Sequence, residues 1–390
     1  MSTLDDTLAR LKANQARITG LLPSIVRPYR CPLDDSPFLV LQGPRGVGKT
    51  NYLLRKARDC QGTYLSADHP LLASQPLFEW VEALYSKGVE RVFIDEVHQG
   101  RDWSSSLNTL HDNYPDKGIW VSGSSSLLLE EGIVDLSRRY PRSRMPFLSF
   151  REYLVLTGSP DFGIHNPFDH DQSWAAPILK STNVLAKFEE FLSFGTRPIF
   201  LEGRESYGVK VLQTIQKTME SDIPHMVASL QSNHIHLMNA MLGHLAQAPI
   251  PTLSVNLLCR EWSVGKEKLY ALLQALERTG VLHVVRKASD HAAASIGAKI
   301  FFADPTLYSV LSGQEGNDRE AYVVSALRDA GREVQASTDE TQGDFLLDRK
   351  VLLEVGGPKK QRKNADFVIR DGIDWPAPGI LPLWALGFMS

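Results

Sequence analysis

The chain has 390 residues, 43% hydrophobic and 22% charged, which is the composition of a soluble globular protein of roughly two to four domains. A formal net charge of −3 excludes a global basic field, so any contact with nucleic acid must depend on a local patch. Three scattered cysteines favour a cytoplasmic location, and the acidic N-terminus and the lack of a run of membrane-spanning length predict neither a signal peptide nor a membrane partner.

The first elements in chain order are a helix and a series of strands. Helical periodicity over 7–22 predicts an amphipathic leader helix. Between 38 and 150, short apolar runs alternate with helical patterns, which is typical of a parallel sheet covered by helices. Residues 158–178 are rich in Gly, Pro, Asp and His and indicate a loop, whereas 183–222 is again helical. The predicted strands of the sheet are 38–41, 63–65, 91–94, 119–121 and 145–148.

The stretch LQGPRGVGKTNYLL at 41–54 joins the first predicted strand to a predicted helix and contains the Walker A pattern G-x-x-x-x-G-K-[ST]. Inward-pointing amides and the partial positive charge of a helix N-terminus suit the phosphates of ATP. In such a loop, Lys49 contacts the β- and γ-phosphates, and the Thr50 hydroxyl is a Mg²⁺ ligand. The predicted nucleotide-binding residues of the loop are Gly43, Pro44, Arg45, Gly46, Val47, Gly48, Lys49 and Thr50.

A second half of an ATP site follows about 45 residues later, at the Walker B position. The apolar run 92–94 ends in Asp95 and Glu96. We expect Asp95 to hold the Mg²⁺ shell beside Thr50, and Glu96 to polarise the water that attacks the γ-phosphate.

Two further polar features follow in the same region. Ser122 or Ser124, after the strand 119–121, is a candidate sensor of the γ-phosphate, while capping of a short helix at 126–130 is an alternative interpretation. The pair Arg138 and Arg139 could supply charge to the γ-phosphate of a neighbouring subunit, although two arginines alone favour a solvated basic pair.

With these motifs assembled, the chain resembles the prokaryotic AAA+-type P-loop ATPases that join an ATPase core to a winged helix and a degenerate restriction-endonuclease-like domain. The resemblance runs almost from end to end. The segments that carry it are GPRGVGKT, YLSADHP (64–70), VFIDEVHQGRDW (92–103), WVSGSSSLLL (120–129), LSRRYPRSRMPFLSFREYL (136–154), FGTRPIFL (194–201), KIFFADPTLY (299–308) and GDFLLDRKVLLEVGG (343–357).

The resemblance implies an α/β fold, in which a P-loop parallel sheet with a helical lid precedes a winged helix and a small α/β endonuclease-like domain. It also implies that Arg138 or Arg139 is an arginine finger, so that turnover requires a homo-oligomer. Arg197 becomes a candidate second sensor, with a surface arginine before a proline as the alternative. The expected domains are 1–150 (core), 151–232 (lid), 233–313 (winged helix) and 314–390 (endonuclease-like).

The winged helix also has a local pattern. Residues 255–262, the turn 263–265 and residues 266–279 form a helix-turn-helix pattern, and 281–286 and 299–303 are predicted wing strands. The second helix carries basic and acidic residues together, so contact with DNA and a packing role inside the ATPase both stay open.

The acidic residues of the last predicted domain follow one another along the chain in the order typical of a nuclease site. Asp344 and Glu354 fall on adjacent predicted strands, and Glu320 falls on the preceding helix. Nucleases of the class that the resemblance names bind Mg²⁺ with such acids and add a lysine two residues after the second acid. Gly356 occupies that position here, so the usual charge stabiliser is lost and cleavage is not expected.

A basic run, 359–363, follows these acids. Lys359 or Lys360 could replace the missing lysine from the turn. The run could also hold a phosphate backbone, or it could be a solvated loop.

The sequence therefore predicts an enzyme that hydrolyses ATP with Mg²⁺ and couples turnover to a conformational change of its C-terminal domains, with DNA as a second candidate partner. A DNA-binding winged-helix module regulated by ATP and a metal-dependent nuclease are the alternatives.

Overall fold

The computed structural model describes residues 3–123, 136, 138–226, 232–248, 255–287, 299–314 and 316–390. The chain divides into two compact units, Met1–Pro146 and Phe147–Ser390. Ser124 and the predicted helix at 126–130 lie outside the described residues.

The first unit contains a five-stranded sheet in the order β2-β3-β4-β1-β5, in which every neighbouring pair is parallel. The predicted parallel sheet is thus confirmed. The central strands are buried along nearly their whole length, because helices pack against the sheet. The elements are α1 (Thr3–Thr19), β1 (Phe38–Gln42), α2 (Lys49–Asp59), β2 (Thr63–Ser66), α3 (Leu77–Ser86), β3 (Arg91–Asp95), α4 (Trp103–Asn113), β4 (Gly118–Gly123) and β5 (Arg142–Arg144).

The prediction of the fifth strand at 145–148 is wrong, because β5 lies at Arg142–Arg144 and pairs with β1 at the edge of the sheet. Met145 still donates its backbone N–H to the Gln42 carbonyl at 2.7 Å. The next residue, Pro146, has no N–H, so the ladder ends there. The edge strand was missed because its sequence, Arg-Ser-Arg, has no apolar run.

Two other segments have boundaries that differ from the prediction. The leader helix α1 starts earlier than predicted and ends at Thr19 rather than at residue 22, directly before Gly20. The predicted loop 158–178 ends earlier, since a helix begins at Ala175.

The second unit combines helices, a two-stranded sheet and a mixed sheet of order β12-β11-β10-β9-β8. Its helices are α5 (Phe150–Leu156), α6 (Ala175–Ser181), α7 (Val184–Phe194), α8 (Tyr207–Lys217), α9 (Ile223–Met226), α10 (Ser232–Gln247), α11 (Val255–Glu261), α12 (Lys266–Arg278), α13 (Thr306–Val310) and α14 (Asn317–Asp329). Its strands are β6 (Leu282–Val285), β7 (Lys299–Phe302), β8 (Val334–Ala336), β9 (Phe345–Leu347), β10 (Val351–Gly356), β11 (Phe367–Arg370) and β12 (Ile380–Pro382).

The helices and strands expected between 255 and 303 are present. The helices α11 and α12 precede the antiparallel pair β6 and β7. One hydrophobic core runs through the second unit from Leu148 to Phe388. The winged-helix and endonuclease-like domains, and the ranges of the four predicted domains, stay predictions. None of the helices in the described ranges is long and apolar enough to cross a membrane.

Candidate nucleotide-binding site

The loop between β1 and α2 depends on glycine at two positions. Gly48, the residue before α2, has a φ of 102°, a left-handed conformation that glycine adopts without steric cost. At Gly43, a Cβ would lie 2.2 Å from the Met145 carbonyl oxygen. The start of the loop therefore packs directly against the chain that leaves β5, and no side chain fits between them.

Lys49 is the first residue of α2 and is 6% exposed. Its ammonium donates hydrogen bonds to the carbonyl oxygens of Gly43 at 2.6 Å and Pro44 at 3.0 Å. The positive charge is thus held inside the curve of the loop. Phosphate oxygens would compete with these carbonyls for the ammonium, since an ammonium forms stronger hydrogen bonds with anions.

Asp95, at the end of β3, is the centre of a cluster of hydroxyl groups. Thr50 donates to its Oδ2 at 2.6 Å, and Tyr64 donates to the same oxygen at 3.0 Å. The Ser122 hydroxyl and the backbone N–H of Glu96 both donate to Oδ1. Every hydrogen-bond donor that the structure describes around Asp95 is neutral. The carboxylate is therefore oriented while its negative charge is left for a cation.

Two members of this cluster add to the sequence-based interpretation. Ser122, predicted as a candidate γ-phosphate sensor, bonds to Asp95, and its sensor role stays a prediction. Tyr64 was not predicted at all, because an aromatic residue in a buried strand is typical of a core position. Burial, and then the Asp95 carboxylate, raise the pKa of the Tyr64 phenol above its usual value, so it remains a neutral donor.

Glu96 lies between the loop and a histidine. Its Oε1 is 3.8 Å from Nη1 of Arg45, and its Oε2 is 3.5 Å from Nδ1 of His98. The backbone of Glu96 has a φ of 48°, a left-handed conformation that is uncommon for a residue with a side chain and is frequent at functional sites. The predicted water-polarising carboxylate thus lies beside the phosphate-binding loop.

Arg27 supports the loop from the segment before β1. One of its guanidinium nitrogens, Nη1, donates to the carbonyl oxygens of Val47 at 3.0 Å and Pro146 at 2.9 Å. The residue is only 9% exposed. Its segment carries no motif, so no sequence signal marked it.

The two candidate arginine-finger residues differ in their exposure and in their ion-pair partners. Arg139 donates from Nε and Nη2 to the Asp112 carboxylate at 3.0 and 3.1 Å, and this guanidinium holds the pKa of Asp112 below its usual value. Arg138 is exposed and forms no ion pair with any residue in the described part of the chain. The structure therefore leaves Arg138 as the more available cation.

Arg197 is not a surface arginine, and that interpretation is wrong. Its guanidinium is 2.6 Å from the Asp304 carboxylate, and both side chains are at most 2% exposed. The Thr196 hydroxyl donates to the same carboxylate at 2.6 Å. The role of Arg197 as a second sensor stays a prediction. The segments 195–198 (Gly-Thr-Arg-Pro) and 303–305 (Ala-Asp-Pro) meet in a buried polar network.

The predicted nuclease acids lie next to lysines. Asp344 Oδ1 is 3.7 Å from the Lys299 ammonium, and Glu354 Oε1 is 2.8 Å from that of Lys360. Among the residues that the structure describes, no three or more His, Cys, Asp or Glu side chains are grouped so that they could hold a metal ion.

Comparison with known families agrees with this geometry. Residues 35–154 match the family described as "AAA domain". The matched stretch contains the loop, the Asp95 cluster, Glu96 and both candidate finger residues, while Arg27 precedes it.

Comparison with solved structures adds no functional information. The RuvB Holliday junction branch migration motor of Thermotoga maritima is similar at 17% identity and a TM-score of 0.31, over 72% of this chain and 88% of that one. Two variants of the same RuvB cover the same shares, with identities of 17% and 16% and TM-scores of 0.31 and 0.32. Similarity at this level supports no conclusion about this chain. No match is found among curated proteins.

Proposed function

We propose that this protein binds and hydrolyses ATP at the site in its AAA domain. The observation that carries the proposal is the 2.6 Å hydrogen bond from Thr50 to Asp95, which are 45 residues apart. This bond joins the phosphate-binding loop to the strand end that bears the catalytic carboxylate, as an ATPase site requires.

Each side chain has a defined role in this proposal. The amides of residues 43–50 and the Lys49 ammonium bind the phosphates. Thr50 and Asp95 fit a Mg²⁺ ion, because a hydroxyl and a carboxylate oxygen meet there with only neutral donors around them. When bound, Mg²⁺ would neutralise charge on the phosphate oxygens. Glu96 orients the attacking water and accepts its proton.

The experiment is a phosphate-release assay with Mg²⁺ on the wild type, Lys49→Ala and Glu96→Gln. Lys49→Ala should mainly weaken nucleotide binding, and Glu96→Gln should retain binding while hydrolysis stops. Lys117→Ala is a matched control, because Lys117 forms an ion pair with Glu90 in the same unit, at 2.6 Å. If both site variants hydrolysed ATP at the wild-type rate, the proposal would be wrong.

We further propose that the active form is a homo-oligomer in which Arg138 contacts the nucleotide of a neighbouring subunit. Its exposure supports Arg138 over Arg139, which is bound to Asp112. In mixtures, Glu96→Gln subunits should restore turnover at the sites of Arg138→Ala subunits, because they supply the missing arginine to sites that keep Glu96. Native mass spectrometry with a slowly hydrolysed ATP analogue tests assembly. A fully active monomer would contradict this proposal.

A second candidate function is binding of DNA by the second unit, to which ATP turnover would be coupled. The order of α11, α12, β6 and β7 favours a winged helix, and the exposed Lys359 and Arg362 of the basic run 359–363 offer phosphate contacts. Duplex binding should weaken steeply as salt rises if several phosphates are neutralised. A lack of binding at low salt would exclude this function.

A further inference from the structure

The three acids that resemble nuclease metal ligands come from separate elements of the second unit. Glu320 is on α14, Asp344 immediately precedes β9, and Glu354 is on β10. Their positions bring three carboxylates into one region around buried strands, which is costly unless cations compensate the charge.

Lys299, the first residue of β7, supplies the first compensating charge. Its ammonium is 2.7 Å from Glu320 Oε2 and 3.7 Å from Asp344 Oδ1. It also lies 4.9 Å from the centre of the Phe345 ring. Burial alone would lower the pKa of Lys299, but the two carboxylates outweigh burial and raise it, so the ammonium stays charged.

Glu354 is fully buried and has two lysine neighbours. The ammonium groups of Lys360 and Lys363 each lie 2.8 Å from its Oε1. Gly356 makes this arrangement possible, because a Cβ there would lie 2.7 Å from Cγ and Cδ of Lys360. The glycine that replaces the expected nuclease lysine therefore makes room for a lysine from the following turn.

The remaining geometry does not fit a metal site. Asp344 Oδ2 accepts a hydrogen bond from the Val355 backbone N–H at 2.8 Å, so this oxygen already has a partner. Three ammonium groups balance three carboxylates, and in the described part of the chain these acids do not form a group that could hold a metal ion.

We infer that the ammonium of Lys299 takes the place of a divalent cation between Glu320 and Asp344, so that the second unit carries a metal-independent ion-pair cluster in place of a nuclease centre. The inference is independent of ATP hydrolysis. A direct consequence is that removing the ammonium should create a cation site. The carboxylates of Glu320 and Asp344 would then lie close together without their counter-charge.

The test is a titration of full-length, nucleotide-free protein with Mn²⁺, followed by electron paramagnetic resonance of the unbound ion. Lys299→Met should bind about one Mn²⁺ per chain more than the wild type, because carboxylate oxygens suit Mn²⁺. The double variant Lys299→Met/Asp344→Asn should lose that additional ion. Any ion held at Asp95 is the same in all these proteins and cancels in the comparison.

Lys210→Met is the matched control, since it removes an ammonium that pairs with Glu202 at 2.7 Å in the same unit. It should bind no additional Mn²⁺. If Lys210→Met bound as much additional Mn²⁺ as Lys299→Met, the change in net charge alone would explain the effect, and the inference would be overturned. A folded Lys299→Met that binds no additional ion would also overturn it.

A second measurement needs no Lys299 variant. If wild-type protein binds a Mn²⁺ ion that Asp344→Asn abolishes, or cleaves plasmid DNA with Mg²⁺ in a way that Asp344→Asn abolishes, the cluster is a metal site and the inference is wrong. Equal Mn²⁺ binding by wild type and Asp344→Asn, with no cleavage by either, supports it even if Lys299→Met does not fold.

Discussion

The two units each hold carboxylates at or near the ends of buried strands, but the partners of these carboxylates differ. Asp95 in the first unit receives hydrogen bonds from the hydroxyls of Thr50 and Tyr64. Asp344 and Glu354 in the second unit face lysine ammonium groups. A hydroxyl orients a carboxylate and leaves its charge in place, whereas an ammonium neutralises it. The neighbours of an acid, more than its spacing in the sequence, therefore decide whether it can hold a cation.

The largest expected effect is a difference in the rate of ATP hydrolysis between variants of acids in the first unit and in the second. Glu96→Gln should lower ATP hydrolysis by about 10²–10⁴-fold, because a general base is lost. Asp344→Asn should leave hydrolysis at the wild-type rate. Steady-state phosphate release with nucleotide binding measured in parallel checks both. Equal losses in the two variants would show that the acids of the second unit contribute to the same chemistry, and the comparison would fail.

The next effect concerns stability. Arg197→Met should destabilise the protein by about 3–5 kcal/mol, because it leaves the buried Asp304 carboxylate without its counter-charge. Lys210→Met breaks an exposed pair and should cost at most about 1 kcal/mol. Urea unfolding monitored by circular dichroism measures the difference. A small loss for Arg197→Met would mean that charge pairing in the second unit is not structural.

A smaller effect is expected at the loop. Arg27→Ala removes the donor that holds the Val47 carbonyl, and ATP binding should weaken roughly tenfold, or about 1.4 kcal/mol, close to the lower end of the range for a charged hydrogen bond. Arg30→Ala, on the same segment but exposed, is the control. Isothermal titration calorimetry gives the two dissociation constants. Identical values would mean that Arg27 does not position the loop.

The smallest effect tests the neutral donors themselves. Tyr64→Phe removes one hydroxyl from Asp95 and should weaken Mg²⁺ binding by about 0.5–1.5 kcal/mol. The loss should be seen as a higher Mg²⁺ concentration at half-maximal turnover. Tyr85→Phe is the control, because its hydroxyl donates to the Gly118 carbonyl in the same unit at 3.2 Å. A shift of equal size in Tyr85→Phe would point to general loosening of the sheet.

Local patterns predicted much of the first unit. Apolar runs gave four of the five strands, because a strand buried on both faces must be apolar along its length. The fifth strand was misplaced, since Arg-Ser-Arg at a sheet edge carries no such run. The loop residues were predictable because all the amides of a phosphate-binding loop are close together in the chain.

Contacts between distant parts of the chain could not be predicted in this way. Tyr64 is 31 residues from Asp95, Arg27 is 119 residues from Pro146, and Arg197 is 107 residues from Asp304. In each case the residue type has a common ordinary role, as a core aromatic or a surface arginine, and only its partner reveals the actual one.

The amino-acid sequence by itself determined the parallel sheet, the phosphate-binding loop and the acids that follow β3, because each depends on side chains within a few residues of one another. Only the tertiary structure decided which acids keep their charge available and which are neutralised. That outcome depends on whether folding brings a hydroxyl or an ammonium to the carboxylate, and residues from distant elements supply both.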